Sequence, residues 1–119
     1  MKFQIFYLTV FICVYIALAP TIEAYTTDTD LDMTLCSCKI WIEDTNGNRI
    51  AGDGSRHYHD CDHSIGKEQK LNFPDQTYTI HAKVEGSLRK QKVRGPFSSN
   101  TCFHISGTVD DWSFNQTYC

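Results

Sequence analysis

Once an apolar leader is set aside, the chain carries five cysteines, at Cys36, Cys38, Cys61, Cys102 and Cys119, the last being its final residue. Strand-like segments fill the gaps between them. This framework points to a stapled, secreted mini-domain and away from an intracellular enzyme. Cys119 is expected to tie a terminal strand back onto the body of the fold. The number is odd, so one thiol lacks an obvious partner within the chain.

Residues 1–24 read as a secretory signal peptide. Lys2 supplies the basic start, Phe3 to Ala19 is almost unbroken apolar sequence, and Pro20-Thr21 precedes a cleavage-like Ile22-Glu23-Ala24. A signal anchor is the rival reading, because the apolar run is nearly long enough to span a bilayer. The tail and the absence of a flanking basic cluster favour removal, and Cys13 leaves with the leader. What remains is one secreted, extracellular domain, with a flexible arm over 25–34 and a disulfide-stapled body over 35–119. The net charge of −3 is unchanged by loss of Lys2 and Glu23. Such a chain has no general attraction to nucleic acid or anionic membrane, so neither a nucleic-acid partner nor stable membrane insertion is expected.

Period-two alternation dominates the body. Cys38, Ile40 and Ile42 share one face, opposite Lys39, Trp41 and Glu43. Asn46-Gly47 then predicts a hairpin turn into Arg49–Ala51. Gln69, Leu71 and Phe73 alternate, and Tyr78, Ile80, Ala82 and Val84 form the clearest strand. Thr101–Ser106 and Val109–Tyr118 supply the last two. No segment shows a period of 3.6. The expected fold is all-β, a small sandwich or barrel of about six short strands.

His57, His59 and Cys61 alternate, and on one strand face they would be placed to share a metal. In a secreted chain with this cysteine framework, a bridged Cys61 beside solvated histidines is the preferred reading. No metal or cofactor is expected. Asp44, Asn46 and Asn48 open like a calcium loop, but Arg49 and Ser55 stand where it needs glycine and glutamate. Arg89, Lys90, Lys92 and Arg94 place four cations within six residues. They are candidates for partner binding, against the alternative of lysines guarding a sheet edge. Trp41, flanked by charged residues, is either a binding hot spot or a cap packed against Trp112. His59, Glu85, Arg89 and His104 are residue types a ribonuclease uses, with nothing to fix their geometry. No catalytic residues are assigned. Asn115-Gln116-Thr117 is an N-glycosylation sequon at Asn115.

Over nearly all of residues 36–119 the order of elements resembles the MAX, or ToxB-like, effectors secreted by fungal plant pathogens. The resemblance rests on Cys38 opening Cys38-Lys39-Ile40-Trp41-Ile42, on Cys61 closing the second strand region, on Thr101-Cys102-Phe103-His104-Ile105-Ser106, and on the terminal Cys119. Glu68–Phe73 and Thr77–Lys83 look like that family's central hairpin. The resemblance implies a six-stranded antiparallel sandwich of two three-stranded sheets. It implies bridges Cys38–Cys102 and Cys61–Cys119, with Cys36 as the free thiol, although sequence alone allows fifteen arrangements. It further implies a non-enzymatic virulence or avirulence effector that binds a host protein, by surface recognition or strand addition, with translocation into host cells as an option. A monomer is expected, or a disulfide-linked dimer through the odd cysteine. The alternatives are a membrane-active toxin or antimicrobial and a ribonuclease-like effector.

Overall fold

The computed structural model describes residues 24–119, and the signal peptide read over 1–24 lies outside them except for Ala24. Nine strands and no helix occur among the described residues: β1 (Ala24–Met33), β2 (Ser37–Asp44), β3 (Arg49–Gly52), β4 (His59–Asp60), β5 (Glu68–Pro74), β6 (Tyr78–Val84), β7 (Lys92–Phe97), β8 (Thr101–Gly107) and β9 (Trp112–Thr117). One sheet has the order β5-β1-β8-β9. The other runs β3-β2-β6-β7, with β4 also paired to β2. The all-β sandwich with two disulfides is thus present, with nine strands in sheets of four and five in place of six in two threes, and with one parallel pair, β1–β8, in place of a wholly antiparallel arrangement.

The largest departure from expectation is β1. Residues 25–34, read as a flexible arm, lie almost wholly within a ten-residue strand at the centre of the first sheet. Thr27, Thr29, Leu31 and Met33 point inward and are buried, while Asp28, Asp30 and Asp32 alternate with them toward solvent. The alternation is genuine, but threonine scores as polar. Its branched Cβ suits a strand, and its methyl can be buried. β1 pairs antiparallel with β5 and parallel with β8, so both of its edges are used.

The supposed central hairpin is also absent. β5 pairs with β1, whereas β6 pairs with β2 and β7, so the chain crosses between sheets around residues 75–77. Residues 44–49 do form the predicted turn. Asp44 Oδ1 accepts the backbone N–H groups of Asn46 and Asn48, and Gly47 has a φ of 81°.

The core lies between the sheets. Ile40, Ile42, Tyr78, Ile80 and Val84 come from one, and Leu31, Met33, Phe103, Ile105, Trp112 and Phe114 from the other. Buried Tyr78 keeps its hydroxyl satisfied by donating to Ser99 O at 2.7 Å, with Thr101 Oγ1 also at 2.7 Å. That contact ties β6 to the start of β8.

The bridges are Cys38–Cys61 and Cys102–Cys119, with Cα separations of 5.8 and 5.3 Å. The four bridged cysteines and the free, buried Cys36 are as expected, but the pairing differs. Strand parity gives the reason. Cys38 points into the sandwich with Ile40 and Ile42, whereas Cys102 alternates against buried Phe103 and faces outward from the other sheet. A Cys38–Cys102 bond would have to pass through that sheet. Cys38 instead meets Cys61, just after β4, where Cys61 O accepts the Met33 N–H of β1, and Cys119 fastens the end of β9 to β8. In the chain-entropy view each bridge contributes about 3 kcal/mol.

Candidate binding face

The outer face of the five-stranded sheet places Trp41, His81 and Val93 side by side across β2, β6 and β7. The register follows from inward-pointing Ile40, Ile42, Ile80 and Ala82, which force their alternate neighbours outward. Trp41 nevertheless retains only 4% of its surface. Its ring stacks on His81 with centroids 5.2 Å apart, and the Arg49 guanidinium lies 4.5 Å from its centroid. Lys39 Nζ stands 5.3 Å from the Trp41 ring and 4.8 Å from that of Tyr58. Trp41 is therefore neither a bare hot spot nor a cap on Trp112. It is an outward-facing indole roofed by cations.

Glu43 organises this cluster. Its Oε2 accepts the Trp41 indole N–H at 2.7 Å and lies 3.3 Å from His81 Nε2. Thr79 Oγ1 lies 2.8 Å from the same nitrogen. Burial holds the His81 pKa below the ordinary imidazole value, and Glu43 offsets only part of that shift. Beside the cluster is an open depression of about 570 Å³, lined by Lys39, Arg49, Lys83, Lys90, Tyr58 and Glu43, among others. Four cations face one carboxylate there.

The basic run 89–94 is divided by this geometry. Of its four cations only Lys90 lines the depression, beside Gln91. Arg89 donates to Asp110 O and pairs with Asp111 at 3.1 Å. Lys92 donates to Trp112 O at 2.7 Å and stands 4.7 Å from the Trp112 ring centroid, while Arg94 lies 5.9 Å from that of Phe114. Burial lowers the Lys92 pKa, helped by Arg89 and Arg94. These three residues join the second sheet to β9 and to the turn before it. Alternation along β7 puts Lys92 and Arg94 on the side opposite Val93.

The outer face of the other sheet has the opposite character. Asp28, Asp30 and Glu68 line a depression of about 630 Å³ with Lys67, His104 and the Cys102–Cys119 bridge. The Asp28 pKa is raised by burial and by the neighbouring Glu68 carboxyl. Asp32 sits between His104 at 2.9 Å and His63 at 2.5 Å, and the His104 contact chiefly lowers its pKa. Asn115 is exposed opposite His104, so the sequon side chain is accessible.

The histidine cluster is likewise dispersed. His57 is exposed in a turn and His63 serves Asp32, while His59 Nε2 lies 2.9 Å from Asp53 Oδ2 and 2.8 Å from Gln69 Oε1. Of the three residues predicted to share a face, only His59 and Cys61 meet, and Cys38 replaces His57 beside them. The ribonuclease-type residues are not brought together: His59, Arg89 and His104 each engage a separate carboxylate.

No family model and no curated protein matches this chain. Among solved structures it is similar to pneumolysin, at 8% identity and a TM-score of 0.45, with 82% of this chain and 24% of that one covered. The corresponding values for listeriolysin O are 14%, 0.45, 82% and 23%. For the human-specific toxin intermedilysin they are 9%, 0.46, 84% and 24%. The chain thus spans about a quarter of the length of these proteins.

Proposed function

We propose that the protein is a secreted effector that acts by binding a host protein, and that it does so through the outer face of the five-stranded sheet. The observation that carries this reading is the depression beside Trp41, where Lys39, Arg49, Lys83 and Lys90 face a single carboxylate, Glu43. A rigid sheet holding aromatic and arginine side chains in one place has the composition of an interaction hot spot. The charge excess selects a partner that presents acidic side chains. The resemblance to the MAX effectors supports this mode of action, while the bridge pairing and strand number are this chain's own. Two disulfides are typical of proteins that mature in oxidising compartments.

The test is affinity capture from host extract with the native protein and with an Arg49→Glu, Lys90→Glu variant of unchanged circular dichroism. Loss of the captured species in the variant, together with weakening in high salt, supports the reading. Capture that is indifferent to both substitutions places the interface elsewhere. Turnover of RNA, glycan or peptide abolished by one point mutation would replace binding with catalysis.

A further inference from the structure

We infer that Cys38, Cys61 and His59 form a zinc site when the Cys38–Cys61 bridge is reduced, so that one cluster staples the fold in either redox state. The two sulfurs and a ring nitrogen of His59 all lie within 4.8 Å of one another. His59 Nδ1 is 3.6 Å from Cys61 Sγ. Tetrahedral zinc, with bonds of about 2.3 Å to sulfur and 2.0 Å to nitrogen, sets its ligands roughly 3.5–3.8 Å apart. The imidazole already has that spacing to Cys61, and breaking the S–S bond lets the second sulfur move out to match.

The surroundings of His59 strengthen the assignment. Its other nitrogen, Nε2, meets Asp53 Oδ2 at 2.9 Å. Asp53 Oδ2 is itself held by the Ile40 N–H at 2.9 Å and by Gln69 Nε2 at 3.0 Å. A carboxylate on the far side of a histidine is the usual orienting partner in metal sites, because it favours the tautomer with the proton on that side. Nδ1 then carries the lone pair, and its 3.2 Å approach to Asp60 O gives way to the metal. Cys38 and Cys61 are fully buried, and one zinc dication with two thiolates and a neutral imidazole carries no net charge. The side chain of His59 is 33% exposed, and the fourth position is left to water.

The chemistry balances. Two equivalents of a low-molecular-weight monothiol reduce the bridge, giving two cysteine thiols and one external disulfide. Zinc binding then releases two protons as the thiols become thiolates. A chain that matures oxidised and later meets a reducing compartment would exchange one staple for the other.

The test uses the purified wild-type protein, reduced with a phosphine. Cobalt(II) is titrated in as a spectroscopic probe and then displaced with zinc. One equivalent should bind with thiolate-to-metal charge transfer and the intense d–d bands of a tetrahedral centre. Alkylation followed by peptide mass mapping should show zinc protecting Cys38 and Cys61 but not Cys102 or Cys119. His59→Ala, purified oxidised and then reduced, should bind at least about tenfold more weakly, the lower end of what even outer-shell changes cost. The inference is overturned by no uptake in the reduced wild type, by protection at Cys102 and Cys119 instead, or by unchanged affinity in His59→Ala. None of these outcomes depends on whether a host protein binds the Trp41 face.

Discussion

Trp41 and His81 stack across neighbouring strands on the solvent side of the sheet, 5.2 Å between centroids, yet His81 retains only 7% of its surface. An imidazole so placed resists protonation, and the folded-state pKa lies below that of the unfolded chain. The unfolded state therefore binds the proton first. Stability is complete above about pH 6.5 and falls as the pH drops from there toward the lower folded-state value. Urea unfolding at pH 7.5 and pH 5 should show this loss, and His81→Asn should flatten it. An unchanged pH dependence in the variant would remove His81 as the cause.

Asp28 gives the opposite sign. Its pKa is raised, so its contribution is favourable below the unfolded value of 3.8 and is lost as the pH rises through the folded one. Asp28→Asn should stabilise the protein at pH 7 by about 0.2–1 kcal/mol, the scale of a relieved like-charge contact on a sheet. The gap to wild type should close near pH 3. A gap that persists there would show that charge is not its origin.

Gly52 lies opposite Trp41 on β3 with a φ of 90°, and a Cβ there would meet Ile40 O at 2.5 Å and Trp41 Cα at 2.7 Å. Both obstacles are backbone, so neither can swing aside. Gly52→Ala should cost about 2 kcal/mol or more and disturb the Trp41 cluster. Thermal unfolding monitored by tryptophan fluorescence measures both effects.

Replacing Cys102 and Cys119 together by serine should cost about 3 kcal/mol and free the end of β9. Non-reducing peptide mapping of the wild type should recover Cys38 linked to Cys61 and Cys102 to Cys119. Cys36→Ser should leave that map intact, since the Cys36 thiol donates to Thr34 O and takes no part in either bridge.

The residues that betrayed their place in the sequence are those whose alternation pairs large aliphatics with charges. Ile40 and Ile42 against Lys39 and Glu43, or Ile80 and Ala82 against His81 and Lys83, specify both strand and face. β1 has no legible signature because Thr27 and Thr29 are fully buried while counting as polar. The bridge pairing was hidden for another reason: parity shows which face a cysteine takes, but not which strand will lie beside it. Alternation specifies the face of Trp41, yet its cover comes from Arg49 across a turn and His81 across a strand pair, contacts with no local signature. The basic run misled because charge density does not reveal direction. Lys92 and Arg94 alternate with Val93, and that parity turns them toward Trp112 and Phe114.

The parallel pairing of β1 with β8 has a consequence for biogenesis. β1 is the earliest of the nine strands to leave the ribosome, yet it can be seated only between β5 and β8, and β8 is among the last. Its sheet cannot close until synthesis is nearly over, and pairing at such long sequence separation is slow. The β2–β3 hairpin and its partner β6 can assemble while Leu31 and Met33 still lack their neighbours. During that interval both edges of β1 and the side chains of Leu31 and Met33 are open to chaperones and to other nascent copies, which makes the time before β8 emerges the period of greatest aggregation risk.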